Sequence, residues 1–155
     1  MDKTASIEDI KRVVLSAIPQ QKPFRFVDEI VELSDCGVIG KYTFKEDEFF
    51  YEGHFPGNPI TPGVILIETM AQIGLVALGI YLNTMENGTE NIITLFAESD
   101  VEFQRPVLPG DTVIVKSEKV FYRRKKIKAK VEMTLANGET VARGTLSGVG
   151  VVQDV

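Results

Sequence analysis

From Val64 to Leu82 the chain runs for 19 residues in which the only strongly polar side chains are Glu68, Thr69, Gln72 and the phenol of Tyr81. As a helix this stretch would be roughly 28 Å long. A helix that is apolar on every side either crosses a membrane or forms the core of a globule. Glu68 weighs against the membrane, because a carboxylate near a bilayer interior is costly. The flanking segments also alternate apolar and polar residues and need an apolar partner. The expectation is a buried helix, no membrane span, and a remainder of the chain that wraps around it. Pro62 suits the first turn of that helix.

The wrapper reads as strands. Phe24 to Leu33 and Val38 to Lys45 are separated by the turn Ser34-Asp-Cys-Gly37 and predict a hairpin. Further strands are expected over Asn91 to Gln104, Thr112 to Tyr122, Ile127 to Leu135 and Glu139 to Val152. Asn83 to Asn91 reads as a polar loop. Asn137-Gly138 signals a two-residue hairpin turn, and Arg123-Arg-Lys-Lys126 is a basic turn. Before the first strand, Ser6 is placed to cap a short amphipathic helix that Pro19 ends. About six strands with hairpin connections favour an antiparallel sheet. The economical fold is α+β: a curved sheet of about six strands around one long central helix, in a single domain spanning 1–155.

Composition closes off several functions. The formal net charge of −5 does not match nucleic acid. One cysteine, Cys36, cannot form an internal disulfide, which fits a reducing compartment. One cysteine and one histidine cannot make a Cys/His zinc site within one chain. The polar N-terminus lacks an apolar signal core. A cytoplasmic protein without metal or organic cofactor is expected.

His54 is the only histidine, and Glu68 follows it by 14 positions. A histidine in a Pro/Gly-rich loop and a lone acid on a buried helix are a candidate base and acid for one site. Burial of Glu68 raises its pKa and keeps a proton available to donate. Gly63, at the helix start, has an N–H with no intrahelical partner and no side chain to block a ligand. Gln72 lies one turn after Glu68 and can orient its carboxyl. Arg123, Arg124, Lys125, Lys126, Lys128 and Lys130 make a basic focus on an acidic chain, either a solvated hairpin or a docking surface.

The residues His54-Phe-Pro-Gly57, Pro59, Pro62-Gly63-Val64, Glu68 and Met70-Ala-Gln72 resemble the signature of the 3-hydroxyacyl-acyl-carrier-protein dehydratases of the FabZ type. Pro23-Phe24 with Val27-Asp28, Phe96-Ala97, Phe103-Gln-Arg-Pro106 and Leu108-Pro-Gly-Asp111 resemble the family's other blocks. Ile18-Pro-Gln-Gln21 departs from the Leu-Pro-His-Arg run the family often has, which leaves the pathway open between general fatty-acid elongation and polyene or other specialised lipid synthesis. The resemblance implies the hot-dog fold, with His54 and Glu68 as the catalytic pair; beside them the Gly63 N–H, at the positive helix start, suits holding the thioester carbonyl. The resemblance implies an acyl tunnel at Phe55, Val64 and Phe96, with Phe96 as its gate. It also implies a partner, acyl carrier protein with its phosphopantetheine-linked acyl chain, docked on Arg123, Arg124, Lys125, Lys126 and Lys128. The family's assembly is a homodimer, often a trimer of dimers. Three rivals remain: a hot-dog thioesterase, a dehydratase that also isomerises, which usually carries Asp where this chain has Glu68, and a carrier-binding subunit without turnover.

Overall fold

A computed structural model describes residues 4–88 and 91–153. Met1 to Lys3 of the polar N-terminus, residues 89–90 of the expected loop, and the last two residues lie outside the described residues. The chain opens with helix α1, Ile7–Ala17, capped by the Ser6 hydroxyl, which accepts from the Asp9 N–H at 3.2 Å. Six strands follow in the order β1 (Glu29–Ser34), β2 (Gly37–Thr43), β3 (Ile92–Phe103), β4 (Thr112–Arg123), β5 (Lys126–Leu135) and β6 (Thr140–Val152). They form one antiparallel sheet in the spatial order β1-β2-β4-β5-β6-β3. This is the sheet expected from counting strands.

The long helix lies between β2 and β3 in sequence. It has three consecutive parts: α2, Gly63–Ala71, a π-helical turn, Gln72–Ala77, and α3, Leu78–Asn87. The span Gly63–Glu86 is apolar enough to cross a membrane, but 72% of its most apolar window is already buried inside the protein. Most of that window is therefore already covered by the rest of the protein. Gly74 lets the helix approach closely, since a Cβ there would sit 3.1 Å from Val131 Cγ2 and 3.3 Å from Ser117 Cβ. A π turn widens the backbone and disturbs the regular carbonyl partners. Ser117 on β4 donates to the Gly74 carbonyl at 2.9 Å and ties that turn to the sheet.

Three sequence expectations are corrected. The helix does not stop at Leu82 but runs to Asn87, with the Thr84 hydroxyl bonded back to the Ile80 carbonyl. Polar residues that read as loop form its last turns. Phe24 to Asp28 is not strand: the Phe24 carbonyl and the Phe26 N–H are bonded to the Gln72 side chain on the helix, and only the Asp28 N–H reaches β2, at the Lys41 carbonyl. Asn137-Gly138 does not make a two-residue turn. Leu135 N–H bonds to the Glu139 carbonyl across three intervening residues, with Gly138 at φ +91°. The two-residue turn is instead Arg124-Lys125, where Arg123 pairs with Lys126 and both turn residues have positive φ, as a type I′ turn requires.

Candidate active site

The approach to His54 is fixed by aromatic packing. Phe44 leaves β2 and packs with Phe26, Tyr42 and Phe50, and each such pair adds about 0.5–1.5 kcal/mol beyond area burial. Tyr51 is buried next to Phe50, and its hydroxyl meets that of Thr61 at 2.7 Å. This bond closes the base of the loop that carries His54. The loop's tip, Phe55-Pro-Gly-Asn58, is a tight turn with Asn58 N–H bonded to the Phe55 carbonyl and Gly57 at φ +70°. Pro at the second and Gly at the third turn position suit this geometry. The His54–Phe55 peptide is cis.

His54 itself is held by backbone. Its N–H bonds to the Phe50 carbonyl, and its carbonyl accepts from the Ile60 N–H, both at 3.0 Å. The ring Nδ1 lies 2.8 Å from the Ile60 carbonyl oxygen. A carbonyl only accepts, so Nδ1 carries the hydrogen and the neutral ring keeps its lone pair on Nε2. The half-buried imidazole is therefore a positioned proton acceptor.

Glu68 is held by a side chain. Gln72 Nε2 donates to Glu68 Oε1 at 3.0 Å and to the Phe24 carbonyl at 2.9 Å. Gln72 Oε1 accepts from the Phe26 N–H at 2.7 Å. Gln72 is fully buried and links the segment before β1 to the helix. Desolvation by burial raises the Glu68 pKa, and the Gln72 hydrogen bond partly opposes that rise. The proton is thus held more tightly than on an ordinary glutamate.

Gly63 begins the helix after Pro62. Ile65 and Leu66 N–H both turn back to the Pro62 carbonyl, while the first helical N–H groups, at Gly63 and Val64, have no intrahelical acceptor. Phe103 packs over Gly63, with its ring 3.3 Å from where a Cβ would be. Glu68 and Phe96 line a cavity of about 40 Å³ with Gln20, Ala71, Leu75, Val76 and Thr94. Phe55 and Val64 are exposed in the single chain, Val64 by 73%. The basic residues Arg123, Arg124, Lys125, Lys126 and Lys128 lie on and beside the β4–β5 turn.

No hydrogen bond joins His54 to Glu68 within the chain, and His54 does not line the cavity beside Glu68. Larger surface clefts lie elsewhere. One, of about 440 Å³, adjoins the β1–β2 turn, and one, of about 480 Å³, lies beside Lys116, Lys130 and Arg143. Neither includes His54 or Glu68, so cleft size does not locate this chemistry. No group of three or more acidic, histidine or cysteine side chains suited to a metal occurs among the described residues.

The FabA-like domain family matches residues 18–145, a span that includes both His54 and Glu68. This chain belongs to the FabA-like family. Among its relatives is the 3-hydroxyacyl-[acyl-carrier-protein] dehydratase FabZ of Herpetosiphon aurantiacus, 36% identical over 142 residues, which cover 91% of this chain and 94% of that one. Another is the bifunctional enzyme LpxC/FabZ of Chlorobaculum tepidum, 37% identical over 123 residues, which are 79% of this chain. The chain spans about a quarter of that relative's length, 26%. Among solved structures, the dehydratase heterocomplex ApeI:P from Xenorhabdus doucetiae superposes with a TM-score of 0.76 at 16% identity, covering 90% of this chain and 91% of that one. The hot-dog fold is thus shared. For a FabA-like chain, the lone histidine, the buried acid and the glutamine one turn later were all visible in the sequence. The Tyr51–Thr61 bond and the place of Gln20 beside Glu68 were not, because both depend on tertiary neighbours rather than spacing.

Proposed function

We propose that this chain dehydrates (3R)-hydroxyacyl chains on acyl carrier protein to trans-2-enoyl chains, in fatty-acid or related polyene lipid biosynthesis. The observation that carries the reading is a positioned acceptor paired with a desolvated acid. The Ile60 carbonyl on Nδ1 leaves His54 Nε2 to accept a proton, and burial raises the Glu68 pKa, which favours its acid form. In the reaction, His54 Nε2 takes a proton from C2. The C2–H electrons become the C2=C3 double bond, and the C3–O bond breaks with its electron pair on oxygen. Glu68 protonates that oxygen, and water leaves. The resulting imidazolium and carboxylate return to their starting states by net transfer of one proton. Negative charge that develops on the thioester carbonyl during C2 deprotonation is held by the Gly63 N–H at the positive helix end. Protein groups alone balance this chemistry. Phe55, Val64 and Phe96 line the path of the acyl chain.

His54 and Glu68 act in one site when two chains pair, His54 from one and Glu68 from its partner. Within one chain they share neither a hydrogen bond nor the cavity beside Glu68, which supports this reading. So does β3, a twelve-residue edge strand with Leu95, Phe96 and Phe103 exposed. A long apolar edge needs cover, and a two-fold partner supplies it. Such dimers can assemble further into a trimer of dimers.

The test is incubation with a carrier-linked 3-hydroxyacyl chain and, in reverse, with a crotonyl thioester. Enoyl product and hydration respectively are expected. Release of free thiol would instead mark a thioesterase, and no turnover would mark a carrier-binding subunit. The carrier docks on Arg123, Arg124, Lys125, Lys126 and Lys128. Reversing the charges of Arg123, Arg124, Lys125 and Lys126 should slow turnover of carrier-linked substrate, with strong salt dependence. A short thioester without carrier should be turned over as before. Equal losses on both substrates would remove the docking role.

A further inference from the structure

Gln20 follows α1, in the segment that departs from the family pattern. Its backbone is fixed by Arg25, whose guanidinium donates to the Leu15 carbonyl at 2.5 Å, to the Ile18 carbonyl at 3.3 Å and to the Gln20 carbonyl at 3.4 Å. Its side chain lines the cavity that Glu68 lines. Its Oε1 is buried and makes no hydrogen bond to any described residue. A buried acceptor without a donor costs about 1–3 kcal/mol, so an amide oxygen left in this state beside a carboxyl calls for a donor from outside the chain.

The cavity indicates the donor's size. At about 40 Å³ it exceeds the roughly 10–15 Å³ that one water needs, yet it cannot hold an acyl chain. Ala71, Leu75, Val76 and Phe96 make most of its wall apolar. Gln20, Glu68 and Thr94 supply the polar groups, enough to meet the two to four partners an enclosed water requires.

We infer that this cavity receives the oxygen that leaves C3, and that Gln20 Oε1 accepts the hydrogen bond from that oxygen's own O–H while Glu68 protonates it. The inference rests on the dehydratase reading of His54 and Glu68 and adds a third group at the reacting oxygen. The C3 hydroxyl has one hydrogen. That hydrogen points to Gln20 Oε1, so an oxygen lone pair faces the Glu68 proton. As the C3–O bond breaks, the oxygen gains the Glu68 proton and becomes water. It then has two O–H groups, for Gln20 Oε1 and for the new Glu68 carboxylate. In the hydration direction, the same two acceptors aim the water's lone pair at C3. Gln20 transfers no proton. It orients the leaving group, and its gain is realised as the oxygen becomes a stronger donor.

The test compares Gln20→Met, which keeps the length without the acceptor, with Gln20→His, which restores an acceptor nitrogen. Both are measured for dehydration and hydration, beside the wild type and Glu68→Gln. Gln20→Met should lose kcat on the order of tenfold in both directions, the share of one hydrogen bond, with KM unchanged. Its Tm should not fall, because the oxygen removed has no partner to lose. Gln20→His should recover most of the rate. If the wild type dehydrates and Glu68→Gln does not, but Gln20→Met stays within twofold of wild type, the Gln20 role is overturned and the dehydratase reading stands. A rate loss accompanied by a lower Tm and not rescued by Gln20→His would make Gln20 structural and overturn the inference. A wild type without dehydration, or an undiminished Glu68→Gln, would overturn both readings together.

Discussion

The loop that carries His54 is fixed through its backbone, whereas the helical turn that carries Glu68 is fixed through a side chain. His54 Nδ1 meets a main-chain carbonyl, that of Ile60. No single side-chain substitution deletes that acceptor. Among the described residues, the Glu68 carboxyl is hydrogen-bonded only by Gln72, which is also bonded to the backbone of Phe24 and Phe26. The base is set by local chain path and the acid by tertiary packing. The two halves should therefore fail differently when perturbed.

The largest effects come from removing the groups themselves. His54→Ala and Glu68→Gln should each lower kcat by on the order of 10²-fold or more. Their stabilities should diverge. His54→Ala gives up one partly buried hydrogen bond, about 1 kcal/mol. Glu68→Gln removes a carboxyl whose folded pKa is raised by burial. Such a group binds its proton more tightly when folded. Its contribution is fully present below the ordinary value of 4.5 and is lost as pH rises through the raised folded value. Denaturant unfolding across pH should thus show wild type losing stability relative to Glu68→Gln as pH rises through that window. A constant difference would mean that Glu68 is not desolvated in the folded protein.

Gln72→Leu should come next. It leaves the Phe26 N–H and the Phe24 carbonyl without their partner, at about 2–6 kcal/mol together. It also removes the bond that holds Glu68 Oε1, for a rate loss on the order of tenfold. Stability and rate should fall together, as measured by melting and by kcat. A variant that melts as wild type would show that Gln72 does not tie the two segments.

Tyr51→Phe is the matching perturbation on the His54 side, and the smallest. It deletes the bond to the Thr61 hydroxyl at the base of the loop, at about 1 kcal/mol. The Ile60 carbonyl remains, so kcat should change by less than about threefold. A larger rate loss would show that the loop's backbone bonds do not suffice to hold the imidazole.

The same contrast explains what could be read before the structure. The buried helix, six strands and their antiparallel pairing follow from apolar periodicity, which is local. His54 and Glu68 stood out as a lone histidine and a lone acid in apolar surroundings, and Gln72 followed from helical spacing. What could not be read depended on distant partners. Phe24 to Asp28 has strand composition, but the Phe24 carbonyl and the Phe26 N–H go to Gln72. The polar residues after Leu82 continue the helix because the preceding turns are locked into the sheet. The turn at Arg123 to Lys126 was read, but its two-residue form lacks the usual Asn-Gly signal and is imposed by the pairing of β4 with β5. Gln20 carries no motif, and its amide matters only because Glu68 lies across the same cavity.

Whether the two halves meet across a two-fold axis is tested most directly by mixing two inactive variants. His54→Ala and Glu68→Gln are unfolded together, refolded, and the mixed dimers isolated and assayed for dehydration. If one site takes His54 from one chain and Glu68 from its partner, each mixed dimer has one site with both native groups and one with neither. Activity should then return to about half that of an equal amount of wild-type dimer. If each chain supplies its own pair, every site in the mixed dimer lacks one group, and isolated mixed dimers as inactive as either parent would contradict the shared site.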